Sequence, residues 1–333
     1  MNSHRDSEQK PIVVVSQCLG FGAVRYNGLM VENSFIAALE KHVRFVPVCP
    51  EVGIGLGVPR DPIRIVTLKS ARRLIQPSTA SDLTERMSAF ADSFLRGIAE
   101  VDGFILKSRS PSCGVHDVKL FASATAEDSD GKGSGLFAER VLRDFPFAAV
   151  ESEARLGDFR CRHNFLIKLF TLQRLRSAMT SPTDRELVRF HKAHRLLLRL
   201  FDAEAATALD AKFEDFLAKN PPRYAGEVLR VLSLVPRDWR RRFEELLKSV
   251  RDEFPAELLG NLTRGLHASA HAGHFDVIEF LHRARSMLFH RKQAPLGCEV
   301  LFEPYPVALL NWRERFPAQP QRSSHPQLIR HGE

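Results

Sequence analysis

No run of about 18 or more apolar residues occurs in the 333-residue chain, so a membrane-spanning helix is not expected. Cysteine is scarce: Cys18, Cys49, Cys113, Cys161 and Cys298 are the five, and no C-x-x-C pair is among them. An odd count in a long chain argues against a disulfide framework, and the missing pairs argue against an ordinary four-ligand structural zinc site. The opening MNSHRDSEQK is polar and runs into a short valine-rich stretch unlike a secretory signal. A cytoplasmic protein is the expectation. No internal repeat is present.

Acidic excess is missing too. The formal charge is +8, and it is unevenly placed. Residues 1–160 carry 20 basic and 20 acidic side chains, and the remainder carries 28 and 20. A basic surface attracts nucleic acid. Eight charges spread over the second half form no dense patch, so nucleic-acid binding is considered but not favoured.

What is present is an alternation of short β-branched runs with helical patterns in the first half. Ile12–Val15, Val43–Val48, Ile63–Thr67 and Gly103–Lys107 read as strands. Asn33–Lys41, Ser81–Ile98 and Gly135–Phe145 read as helices, with Ser81 or Asp82 as the expected N-cap of the second. The polar, glycine-rich segment Ala124–Ser134 reads as an exposed loop. Beyond residue 160 the β-branched runs stop. Asn164–Met179, Asp184–Phe201, Ala203–Ala218, Tyr224–Leu234, Asp238–Phe254 and Phe275–Phe289 all read as helices. The expected class is α/β, a mostly parallel sheet with flanking helices, followed by a smaller all-α domain. The expected division is a flexible N-terminus (1–10), an α/β domain (11–160), a connecting helix and linker (161–183), a helical domain (184–315) and a loose tail (316–333).

Cys18, Cys49 and Cys113 each follow the carboxyl end of an expected strand: VVVSQC, VRFVPVC and FILKSRSPSC. In open parallel sheets, ligands bind outside those strand ends. Neighbouring glycines and prolines allow tight turns and close approach. The residues alone leave several roles open. A strand-end cysteine can be buried filler. Three thiolates can hold an iron–sulfur cluster with one iron left open as a Lewis acid, since four cysteines close the usual cluster. They can bind zinc, or one can be a nucleophile with His116 as its base.

Four blocks in order, SQCLGFGAVRYNG (16–28), VPVCPEVGIGLGVPR (46–60), LKSRSPSCG (106–114) and GLFAERVLRDFP (135–146), resemble the thiouracil desulfidase family. The rest resembles, more loosely, the YbgA-type helical domain, most clearly in FHKAHRLLLR (190–199) and again in YPVALLNW. The first resemblance implies a [4Fe-4S] cluster held by Cys18, Cys49 and Cys113, with the fourth iron free. It implies that this iron takes the sulfur of a thiolated nucleobase or nucleoside such as 2-thiouracil, which leaves as sulfide. On that reading Glu51, two residues from a proposed ligand, serves as the general acid/base. Ser110 and Ser112 are candidates for hydrogen bonds to substrate, with loop capping as their other role. Lys107 and Arg60 would hold an anion or the cluster's charge, although an ordinary salt bridge explains Arg60 as well. Two departures stand out. Asn27 replaces the commoner aspartate of Arg-Tyr-Asp-Gly, which leaves a turn role but no base. The opening motif also has one leucine fewer than the usual Cys-Leu-Leu-Gly.

Other signals are set aside. Gly53-Ile54-Gly55-Leu56-Gly57 looks like a dinucleotide loop, but Pro59 and Pro62 follow where a helix should open. His267, His271 and His274 would share a helix face, without a carboxylate to complete a metal site. His191 and His194 read as packing residues. The reading at this level is an iron–sulfur desulfidase. The alternative is a non-catalytic, cluster-carrying sensor or a nucleic-acid or partner-binding protein. Oligomeric state is not legible.

Overall fold

A computed structural model of the chain describes residues 10–310, apart from 69–70, 182, 235, 237, 272–273 and 290–294. The first half runs β1 (Ile12–Ser16), α1 (Ser34–Leu39), β2 (Arg44–Val48), α2 (Pro50–Gly53), β3 (Arg64–Leu68), β4 (Ala71–Gln76), β5 (Ser81–Asp82), α3 (Thr84–Arg96), β6 (Gly103–Leu106), β7 (Val118–Phe121), β8 (Gly131–Gly133), α4 (Leu136–Asp144) and β9 (Ala149–Ser152). Helices dominate the second half: α5 (Phe159–Met179), α6 (Asp184–Phe201), α7 (Ala203–Lys219), α8 (Pro221–Ser233), α9 (Trp239–Ser249) and α10 (Ala256–Ala268). A short hairpin, β10 (Ala270–His271) and β11 (His274–Phe275), then leads to α11 (Val277–Phe289), α12 (Cys298–Phe302) and α13 (Val307–Leu310). None of the described helices is long and apolar enough to cross a membrane.

The central sheet is wholly parallel, in the order β2-β1-β6-β9. All five residues of β1 are buried, as expected of a strand covered on both faces. Period-2 alternation sends Val13 and Val15 into one core and Val14 into the other. The Val14 core holds Phe104, Met87, Phe137 and Leu74, and so joins α3, α4 and a second sheet to the first. That second sheet is mixed, in the order β5-β4-β3-β7-β8, with β3 and β7 parallel and the other pairs antiparallel.

The Val13 core continues without a break into the helical half, through Leu169, Leu197, Phe201, Tyr224 and Leu262. Helix α5 makes this continuity. It buries Phe165, Leu166, Ile167, Leu169 and Phe170, neighbours that point to different sides of a helix, so it is covered on more than one face. Its C-terminal end is fixed to the sheet by Arg176, whose Nε and Nη2 donate to Asp102 at 3.0 and 2.9 Å. Asp102 is 2% exposed and also accepts from the N–H of Ile12 at 2.8 Å.

Several boundaries differ from the sequence reading. Helix α3 begins at Thr84; Ser81 and Asp82 pair with β4 instead, and Asp82 Oδ1 accepts from the N–H of Thr84 at 2.9 Å. Part of the expected loop Ala124–Ser134 is β8, which pairs antiparallel with β7. The helix expected over Asp238–Phe254 ends at Ser249, and α10 follows it unforeseen. The shared histidine face is corrected as well: α10 stops at Ala268, and His271 and His274 are backbone register partners in the hairpin. The expected tail at 316–333 and all but the last residue of segment 1–10 lie outside the described residues, as do the last two residues of YPVALLNW.

Candidate active site

Strand order brings the three loops together. β2, β1 and β6 are neighbours, and Cys18, Cys49 and Cys113 follow their carboxyl ends. All three line one cavity of about 760 Å³, with Glu51, Arg60, Lys107, Ser108 and Ser110. The opposite wall comes from the second sheet and the loop before it, through Ile63, Arg64, Val118, Lys119 and Phe121. Arg64 lies over the Phe121 ring at 4.4 Å from its centre. The site therefore sits between two sheets, only one of which the sequence reading anticipated.

None of the three thiols is in a disulfide. Burial pushes the Cys18 thiol up to about 11, and the nearby Cys49 raises it further. Burial raises Cys49 as well, partly offset by the backbone N–H of Val52. Cys113 is raised well above a free thiol, chiefly by burial, with a hydrogen bond from Ser16 working the other way. Among the described residues no group of three or more His, Cys, Asp or Glu side chains is arranged to hold a metal ion. The three cysteines nevertheless line one cavity.

Glu51 and Asp61 are the carboxylates among the cavity's described lining residues, and Glu51 is the one two residues from a cysteine in sequence. It lies in the one-turn helix α2, directly after Pro50 at its first position, where proline's fixed φ suits helix entry. Arg60 Nε and Nη2 both donate to Glu51 Oε2, at 2.9 and 2.7 Å. The third nitrogen, Nη1, donates to the carbonyls of Val24 at 3.0 Å and Gly57 at 3.1 Å. The pair's side chains are 6% and 13% exposed. Oε1 accepts from Ser112 Oγ at 3.1 Å and Ser110 Oγ at 3.3 Å. Both groups of partners hold the carboxylate in one orientation.

Ser110 has a second task. Its Oγ accepts from the N–H groups of Ser112 and Cys113, each at 3.2 Å, and so caps the turn that presents Cys113. Ser110 lines the cavity; Ser112 is fully buried and stands behind Glu51 rather than on the wall. The start of α4 fixes the same turn from outside. The N–H of Leu136 donates to Pro111 O, those of Phe137 and Ala138 to Ser112 O, and that of Gly135 to Gly114 O, at 2.8–3.1 Å. Those are the N–H groups a helix start leaves without internal partners. The block GLFAERVLRDFP contributes no side chain to the cavity and holds the Cys113 loop in place.

Other expected residues fall elsewhere. His116 is exposed and does not line the cavity, so no histidine serves Cys113 as a base there. Arg60 makes a salt bridge, and its partner is Glu51 itself. Asn27 is exposed; its Oδ1 accepts from the N–H of Leu29 at 3.3 Å, beside Gly28 at φ +70°. Lys107 pairs with Glu153, a residue the sequence reading missed because β9 was not recognised. Ser16, the last residue of β1, was missed because strand serines are usually silent.

Comparisons with known proteins agree on the first half. Residues 13–153 match the family model described as 2-thiouracil desulfurase. The chain is 32% identical over 155 residues to the uncharacterized protein YbbK of Bacillus subtilis (strain 168), covering 44% of this chain and 99% of that protein. A solved structure described as a [4Fe-4S]-dependent thiouracil desulfidase TudS is 26% identical, covering 44% of this chain and 94% of that one, with a TM-score of 0.35. Through this α/β portion, the chain belongs to the 2-thiouracil desulfurase family.

Proposed function

We propose that the chain is a desulfidase that replaces the sulfur of a thiolated pyrimidine, such as 2-thiouracil, with oxygen from water. In the net change a thiocarbonyl and one water become a carbonyl and one hydrogen sulfide, with no electrons gained or lost. The observation that carries the reading is the Glu51 carboxylate, held by Arg60 and two serine hydroxyls in the cavity that also bears three cysteine thiols.

On this reading Cys18, Cys49 and Cys113 hold a [4Fe-4S] cluster. The donor set suits one: thiolates are soft, charged ligands. Bound there, the cluster supplies an open iron as a soft Lewis acid for the thiocarbonyl sulfur.

The chain's own residues supply the proton chemistry. Glu51 takes a proton from the attacking water and returns one to the ring nitrogen or the departing sulfur. Ser110 donates to Glu51 and accepts from the N–H groups of Ser112 and Cys113, so it ties the carboxylate to the turn that presents Cys113. Arg60 balances the carboxylate's charge and fixes its direction. The cavity volume lies within the ~300–1,000 Å³ typical of small-molecule sites, so it admits a nucleoside as well as a free base.

Anaerobic reconstitution with iron and sulfide tests this. Iron per chain should match one four-iron cluster, and 2-thiouracil should yield uracil and sulfide. Cys49→Ala should lose both. A Cys49→Ala chain that keeps full activity contradicts the reading, and a loaded chain that turns over no thiolated pyrimidine points to the sensor alternative.

A further inference from the structure

The chemistry above gives the Lys107–Glu153 pair no task. Lys107 follows β6 directly, and Glu153 follows β9. These strands are neighbours in which Leu106 pairs with Ser152, so the two side chains leave adjacent strand ends. Lys107 Nζ donates to Glu153 Oε1 and to Ser108 Oγ at 3.0 Å. Glu153 is tied further by the N–H of Ser108 at 2.6 Å and the Ser108 hydroxyl at 2.7 Å. The side chains of Lys107 and Glu153 are 17% and 8% exposed.

A buried ion pair is a poor device for stability. Desolvating both charges offsets most of their attraction, and apolar replacements are often neutral or better. The orientation of the pair is more informative. Lys107 and Ser108 line the cavity, whereas Glu153 does not. The cation therefore faces the site, and its anchoring carboxylate stands behind it. Lys107 lines the same cavity as Cys18, Cys49 and Cys113. The backbone N–H of Lys107 donates to Ser16 Oγ at 2.9 Å, at the end of the strand that leads to Cys18. The unit thus shares the cavity with the three cysteines and is fixed by Ser16 to the end of β1, two residues before Cys18.

We propose that Lys107 is a positioning residue: its ammonium, anchored by Glu153 and Ser108, is the fixed counter-charge for the anionic thiolate–cluster assembly on the Cys18 side. This rests on the reading that the three cysteines hold a cluster. A charge placed there acts on the cluster's reduction potential, which follows net charge and hydrogen bonding around the sulfurs. Such a readout is independent of turnover.

The experiment compares the full-length wild type, Lys107→Gln and Lys107→Arg after anaerobic reconstitution. Iron per chain, the unfolding midpoint and the potential from an EPR-monitored redox titration are measured for each. Lys107→Gln should fold and either shift the potential to a more negative value or take up less iron than wild type. Lys107→Arg, which keeps the charge, should restore the lost property towards wild type. A loaded Lys107→Gln chain with the wild-type potential and iron content overturns the counter-charge role and leaves the cysteine reading intact. A Lys107→Arg chain as impaired as Lys107→Gln overturns it too, because charge is then not what matters. A wild-type chain that takes up no iron overturns both.

Discussion

Replacing Gly135 by alanine should damage the site from outside it. Gly135 is the N-cap of α4 at φ −66°, a conformation open to any residue, so flexibility is not why glycine stands there. Close approach is the reason. An added Cβ would collide with Ser112 O, and would lie 2.5 Å from Ser112 C and 2.8 Å from Pro111 O. Ordinary contact begins near 3.4 Å, so the Pro111–Ser112 backbone must retreat by about 0.9 Å. The three hydrogen bonds from Leu136, Phe137 and Ala138 to that backbone now measure 3.0–3.1 Å. At close to 4 Å they would be broken. Three bonds at about 1 kcal/mol each, with about 1 kcal/mol or more of overpacking strain, bring the loss to roughly 3–5 kcal/mol if the loop does not relax. Denaturant unfolding of the metal-free chain reads this directly. Gly131→Ala is the control, because nothing lies within 4 Å of a Cβ there. Cys113, and Ser112 with its bond to Glu51, move with the loop, so turnover should fall by about a hundredfold, the usual effect of a 1 Å misplacement. A Gly135→Ala chain with wild-type midpoint and turnover would refute the reasoning.

Two further outcomes concern the rest of the fold. Arg176→Leu leaves Asp102 buried with, among the described residues, the Ile12 N–H as its remaining hydrogen-bond partner and should cost about 3–5 kcal/mol in denaturant unfolding; an unchanged midpoint would contradict the role given to that ion pair. Acid should weaken the helical half through His163 and His194, each held down to about 3 by burial, with Arg162 and Arg174 respectively adding to the effect. Both stay neutral in the folded chain while the unfolded chain binds their protons below about 6.5, so this stability is complete above pH 6.5. It is lost as pH falls from there towards 3, by up to about 1.4 kcal/mol per unit for each histidine. His163→Phe should flatten part of that slope in midpoints measured between pH 6.5 and 4.5, and identical slopes would count against the assignment.

The site was more legible in the sequence than the frame around it. β1 and β2 announce themselves because VVV and VRFVPV are β-branched and bounded by turn residues, and the strand-end rule then points to Cys18 and Cys49. Of the second sheet only β3 was read as a strand, and the rest was hidden for local reasons. β4 carries Arg72 and Arg73, β7 has only four residues, and β8 is Gly-Lys-Gly, which reads as loop by composition. Their strand character comes from pairing, which no single segment encodes. Without that sheet the second wall of the cavity was missing from the reading. Glu153 was lost for the same reason, since β9 went unrecognised. Helix α10 carries Leu258, Leu262 and Leu266 at four-residue spacing, yet Gly260 and Gly265 weaken its local signal. The partners of Glu51 were not legible at all: the sequence names Arg60, Ser110 and Ser112, and only the fold turns all three towards one carboxylate.

The most direct test is turnover of 2-thiouracil by Glu51→Gln after anaerobic reconstitution, with iron counted in the same sample. Glutamine keeps the size of the side chain and removes its capacity to take a proton. Wild-type iron content with kcat/KM lowered by about a hundredfold or more is the expected result, the usual range for a lost general acid/base. Full activity in the loaded Glu51→Gln chain would show that the carboxylate held by Arg60, Ser110 and Ser112 does not do the chemistry.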